Sequence, residues 1–328
     1  MINVFKALNP LNVLWLAVLL FALRAVYWFN MPIKMEFAFT TLFARLLIPV
    51  TNQYSFPPLL NLFAAALLVF IQALLLNNLV NNYNLLGKPT FLPALMYVTV
   101  SSLFTPFLVL TPPLFCNFLV IWMLFKLLGL YKSKDSKSTA YDLGLIVATG
   151  SIVYLPFIYF FLLIWIGLII FRPINWREFA AAIIGYISVF FFLAVYYFLN
   201  NSLSQFFEIW RPLLTRFPSG FNINYYNYLV LVPVVIIFIL CFIKIQQNFF
   251  RSYVQIRKSF QLLLIMFLIA GFSFYVKAAF QLNHFLLGAV PASLFFSYYF
   301  LHAKRKWFYE TLFFIQLITI IYFQFNTF

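Results

Sequence analysis

Charge is scarce in this chain, and acidic charge is scarcest. Only 8% of its 328 residues are charged, with six Asp and Glu against 21 Lys and Arg. A soluble domain carries roughly 25% charged residues, so that class is excluded. Cysteine is limited to Cys116 and Cys241, each inside its own apolar run, which leaves no disulfide framework and no metal-ligand spacing. Two histidines argue against a haem or a multi-histidine iron site, and so against oxygenase chemistry. The sequence holds no Gly-rich phosphate loop, nucleophile elbow, HExxH or CxxC. It also lacks a strongly basic start and a small-residue cleavage site, so no cleavable signal peptide is expected.

Apolar surface is abundant: 65% of residues are hydrophobic, 47 of them Phe. They fall in helix-length blocks, without the ~10-residue alternation of an outer-membrane barrel. The expected fold is therefore all-α, a polytopic transmembrane bundle forming one domain over residues 1–328. Blocks that suit a span of about 20 residues lie at 11–29, 58–80, 178–199, 228–243, 260–276, 285–301 and 307–325. Two longer blocks must divide. The one at 90–131 breaks at Thr111-Pro112-Pro113, because two prolines cannot sit inside a helix. The one at 142–171 would reach roughly 45 Å as a single helix. Lys132, Lys134 and Lys137 precede it and Arg172 and Arg177 follow it, so both flanks read as cytoplasmic and the block as a hairpin turning near Leu155-Pro156. The total is about 11 spans.

A cytoplasmic N-terminus places fifteen cations inside and six outside. The +15 net charge is then a topology signal, and no nucleic-acid partner is implied. The longest outer segments are about 30–57 and about 200–227.

Charges beside a membrane are costly and mark functional candidates. Asp135 reads as a solvated loop charge, and Asp142, Glu178 and Glu310 as first-turn helix caps. Glu36 follows the first span and precedes a stretch at 37–49 that is too short to cross and reads as an interfacial helix, with Phe39, Leu42, Phe43 and Leu46 on one face. Two readings of Glu36 stay open: an ion pair with Lys34 or Arg45, or a catalytic carboxylate. Arg211 and Arg216, in the second outer segment, are forks suited to phosphate, whether of lipid headgroups or of a specific site. Lys277 ends one span, and Asn283 and His284 open the next, where His284 reads either as a satisfied structural histidine or as a phosphate or carboxylate partner. Arg24 lies in the outer half of the first span, placed either to snorkel outward or to pair with Glu36.

Phe171-Arg-Pro-Ile-Asn-Trp-Arg-Glu178 after a hairpin, then Gly185, then Asn283-His284-Phe and Pro291, make the whole chain resemble an uncharacterised family of bacterial inner-membrane proteins whose members often carry a carotene-oxygenase name. The layout also resembles the GT-C class of glycosyltransferases, which use polyprenyl-phosphate sugars. An acid follows the first span (Glu36), surface helices come after it (37–49), an Arg-Pro turn closes a short hairpin (Arg172-Pro173), and a polar residue opens an aromatic-Leu…Pro helix (His284 to Pro291). The class usually has Asp where this chain has a single Glu.

That resemblance implies sugar transfer, of mannose by similarity to protein mannosyltransferases, to a protein or glycan acceptor on the periplasmic side of the bacterial inner membrane. Glu36 would be the base, Arg211, Arg216, Lys277 and His284 the donor-phosphate ligands, and Arg24, Arg45 and Asn283 their support. No metal or other cofactor is demanded, and a divalent cation is compatible with the scheme. The alternative is a non-catalytic scaffold or transporter-like subunit of an envelope complex, in contact with membrane lipids and partner proteins.

Overall fold

The structure, a computed structural model, describes residues 1–32, 57–131, 135–208, 210, 213, 225–248, 253–276 and 281–326. Every regular element among them is helical. In chain order these are α1 (Ile2–Lys6), α2 (Asn12–Ala22), α3 (Ala25–Phe29), α4 (Pro58–Asn82), α5 (Leu92–Val100), α6 (Pro112–Gly129), α7 (Ser136–Val153), α8 (Phe160–Phe171), α9 (Trp176–Leu199), α10 (Leu203–Glu208), α11 (Leu231–Asn248), α12 (Val254–Phe272), α13 (Ala289–His302) and α14 (Lys306–Phe325).

Seven helices among the described residues are long and apolar enough to cross a membrane: Pro58–Asn82, Pro112–Gly129, Trp176–Leu199, Tyr228–Asn248, Val254–Phe272, Leu282–His302 and Lys306–Phe325. Two shorter apolar helices, Asn12–Ala22 and Leu155–Phe171, accompany them. The chain is a multi-pass membrane protein. Four of the eleven expected spans are not among these seven: 11–29, the first part of 90–131 and the two arms of 142–171. The first block is interrupted at Arg24, between α2 and α3. In the block after residue 90, helix α5 has only nine residues, about 14 Å, and irregular chain follows it to Thr111. Helix α7 starts at Ser136, with two polar turns ahead of its apolar part. The expected break at 111–113 does occur, with Pro112 and Pro113 opening α6, where their missing amides cost nothing. The hairpin block also divides where expected, at extended Tyr154 and the turn Leu155–Tyr159.

Two helices form the centre. All nine residues of α5 are buried, as are residues 289–300 of α13. They pack on each other, with α4 against α5 and α11 against α13. Such all-round burial matches their lack of a polar face. A polar staple crosses the centre. The Tyr97 hydroxyl donates to Gln72 Oε1 at 2.7 Å, and Gln72 Nε2 donates to the Leu114 carbonyl at 2.6 Å. Asn117 Nδ2 donates to Tyr97 Oη at 3.0 Å and to the Leu286 carbonyl at 3.1 Å.

Helices α7 and α9 make the most extensive pairing. A Cβ on Gly144 would run into the Ala182 carbonyl and the Tyr186 amide, and one on Gly185 into the Tyr141 carbonyl. The two helices therefore touch backbone to backbone, the small-residue packing that serves in lipid, where apolar burial alone does not drive helices together.

Among the described residues, Asp135, Asp142, Glu178 and Glu310 are engaged at one end of the bundle. Asp135 is exposed, as expected, and is also the α7 N-cap, accepting from the Ser138 amide at 3.4 Å. Asp142, expected as a cap, sits in the second turn and pairs with Lys126 at 2.7 Å. Glu178 is in the first turn of α9 as expected, buried, accepting from Ser136 Oγ and pairing with Arg172 at 3.6 Å. Glu310 lies in the second turn of α14 and takes the α-amino group of Met1 at 2.9 Å and the amides of Ile2 and Asn3. It so caps α1 from a distant helix. Lys6 lies over the Tyr309 ring at 4.1 Å, and burial lowers its ammonium pKa against the opposing pull of Glu310.

Candidate functional site

The opposite end is built differently, beginning with the irregular segment at 101–111. Its sequence, rich in Ser and Thr and holding Pro106, favours local turns over a helix. Thr99 and Ser101 hydroxyls bond back to Met96 and Val98 carbonyls as α5 ends. Three elements then hold the segment. Gln324 Nε2 donates to the Ser102 carbonyl at 2.7 Å, the Tyr27 hydroxyl to the Thr105 carbonyl at 3.4 Å, and the Leu110 amide to Asn61 Oδ1 at 2.7 Å. Non-helical backbone within a membrane domain survives only when buried or lining a cavity.

This segment lines a cavity of about 430 Å³. Leu103, Phe104 and Phe107 form one wall, Val235, Phe238 and Ile239 of α11 a second, and Ala270 and Gly271 of α12 a third. Every lining side chain except Tyr228 is apolar. The size falls within the ordinary range for ligand pockets, about 300–1,000 Å³. Val235 and Ile239, which line it, are 52% and 54% exposed, so the cavity is not sealed. A Cβ on Gly271 would meet nothing within 4 Å, so this glycine leaves the cavity open.

His284 stands on the turn Leu282–Gly288 that closes the cavity and is 2% exposed. Its Nε2 faces the Ala270 carbonyl at 2.9 Å, with Ser273 Oγ at 3.1 Å, and a carbonyl can only accept. Nε2 therefore carries a proton. Its Nδ1 lies 2.8 Å from the Tyr154 hydroxyl, which donates to it in the neutral ring. The imidazole ties the turn after α7 to the end of α12, and both nitrogens are engaged within the protein.

Of the expected site residues, Glu36, Arg45, Arg211, Arg216 and Lys277 lie outside the described residues, as does the interfacial helix expected at 37–49. Asn283 adjoins His284, and its Oδ1 is buried without a hydrogen bond. Arg24 is 1% exposed, and none of its three guanidinium nitrogens has a hydrogen-bond partner. The sequence reading missed Gln72, Tyr97, Asn117 and Tyr154, the partners that fix the cavity's surroundings. Their signal was present: Gln72 and Asn117 are amides in the middle of apolar spans. Among the described residues no group of three His, Cys, Asp or Glu could hold a metal.

Fold and cavity define a multi-pass helical membrane protein with an apolar, partly open pocket. The chain belongs to a family of unknown function, DUF6427, whose model matches residues 30–328. No curated protein and no solved structure matches it.

Proposed function

We propose that the protein is a membrane glycosyltransferase of the GT-C type, moving a sugar from a polyprenyl-phosphate donor to an acceptor at the outer membrane face. The observation that carries this reading is the partly open apolar cavity of about 430 Å³, lined in part by the exposed Val235 and Ile239. It suits an isoprenoid chain entering from the bilayer and has no evident use for a polar solute. In the reaction Glu36 accepts the proton of an acceptor hydroxyl. The hydroxyl oxygen forms a bond to the sugar's anomeric carbon as the bond to the phosphate oxygen breaks, and polyprenyl phosphate leaves with the electron pair. Arg211, Arg216 and Lys277 offset its charge. The engagement of both His284 nitrogens makes that residue a support of the cavity wall in this scheme.

The test is transfer of labelled sugar from a polyprenyl-phosphate donor by purified protein. Glu36→Gln is expected to abolish transfer while the protein stays folded and inserted, and Gly271→Leu, which fills the cavity, to reduce it by at least about tenfold. Full activity in Glu36→Gln removes Glu36 as the base. No transfer by the wild type with any polyprenyl-phosphate sugar favours the scaffold reading.

A further inference from the structure

The guanidinium of Arg24, expected to support a donor phosphate, is enclosed: it is 1% exposed and none of its nitrogens has a hydrogen-bond partner. Arg24 separates α2 from α3, and α2 packs on α4 and α5 while α3 packs on α14. The Tyr27 amide donates to the Arg24 carbonyl at 3.1 Å, and the Tyr27 hydroxyl reaches the Thr105 carbonyl. Arg24 is thus one turn from the residue that grips the irregular segment. That segment carries further buried groups without partners. Ser102 Oγ is unbonded although its own carbonyl accepts from Gln324, and Thr111 Oγ1 is unbonded beside the Leu110 amide that Asn61 holds.

No described acid neutralises Arg24. Asp142 pairs with Lys126, Glu178 with Arg172 and Glu310 with the α-amino group. Asp135 caps α7, and Glu208 is exposed at the end of α10. An ionised group inside a membrane domain with no counter-charge is strongly unfavourable and marks a functional site. All the unpartnered groups named here are able to donate. The five N–H groups of one guanidinium, set in a planar fork, outnumber the roughly four lone-pair sites of a carboxylate and suit a phosphoryl group, with its three acceptor oxygens.

We infer that Arg24, one turn from the Tyr27 that grips the irregular segment, forms a buried binding site for a phosphoryl group, either of a lipid headgroup or of free phosphate. The inference rests on the polyprenyl-phosphate reading only for the origin of that group; the site stands whatever reaction follows.

The experiment follows thermal unfolding of the purified full chain in detergent by tryptophan fluorescence. The probes are inorganic phosphate, dioctanoyl phosphatidic acid and dioctanoylglycerol, the last carrying the same chains without phosphate. Phosphatidic acid is expected to raise the wild-type midpoint by roughly 2–4 °C at saturating concentration, and dioctanoylglycerol to leave it unchanged. A comparable rise with inorganic phosphate assigns the site to the free anion, and a rise with the lipid alone assigns it to a headgroup. Arg24→Met is expected to lose the rise and, without ligand, to unfold no lower than wild type, because an uncompensated charge has been replaced by an apolar chain. Arg24→Lys keeps the charge without the fork and is expected to bind at least about tenfold more weakly. Absence of any phosphate-dependent rise in the wild type overturns the site, as does an equal rise in Arg24→Met. If Arg24→Met fails to accumulate, an undiminished rise in Arg24→Lys or Arg24→Gln overturns it equally. Loss of sugar transfer with the phosphate response intact would refute the transferase reading and leave this site standing.

Discussion

The two ends of the bundle are built on opposite principles. At one end Asp142, Glu178 and Glu310 each have a cationic partner, and α7 and α9 meet with no space for a methyl group at Gly144 or Gly185. At the other end Arg24, Ser102 and Thr111 are buried without partners, α5 gives way to irregular chain, and Gly271 faces open space. One end secures the fold. The other holds unsatisfied donors and an empty apolar volume, which are costs that a ligand offsets. Stability and function are thus separated along the bundle, and substitutions at each end should separate in the same way.

The largest effect is expected from Gly144→Leu or Gly185→Leu. Backbone atoms cannot yield as a side chain does, so each should destabilise by more than about 3 kcal/mol, read as loss of folded protein in detergent. Gly271→Leu is the matched change at the other end and should leave the unfolding midpoint within a few degrees of wild type. Equal damage from both substitutions would erase the contrast. A smaller effect is expected from Glu178→Ala, which leaves Ser136 and Arg172 without their buried acceptor. It should cost about 1–3 kcal/mol, with cooperative unfolding retained. The smallest is Glu310→Gln, which weakens the cap on α1 while keeping a side chain of the same shape. About 1 kcal/mol is expected, visible first as faster amide exchange in α1.

Much of the architecture was legible from residue order alone. Pro112 and Pro113 start a helix because neither has an amide to lose, and the 30-residue block parts at Tyr154-Leu155-Pro156 because it exceeds the thickness of a bilayer. The misread elements share one cause. An apolar run announces burial, and it does not say whether lipid or protein does the burying. The nine residues of α5 look like part of a span, yet they are enclosed by other helices and need no membrane length. Arg24 inside an apolar block gave notice of a special position, but sequence could not distinguish snorkelling, an ion pair or an enclosed guanidinium. His284 offered two readings, and its environment engages both nitrogens. Asp142 was expected as the cap and Asp135 takes that place because α7 starts nearly two turns earlier, at Ser136, which leaves Asp142 to pair with Lys126.

Composition together with the helix-length spacing of the apolar blocks determined that this protein is helical and crosses a membrane repeatedly, because in lipid a backbone must bond to itself. Span length and loop charge added the main divisions of the chain. Only the tertiary structure decided which polar groups are satisfied, where α7 and α9 touch, and that an open apolar cavity and an unpaired arginine belong to the same end. Those are properties of distance between residues far apart in sequence, such as Gln324 and Ser102 or His284 and Tyr154, and local pattern carries no information about them.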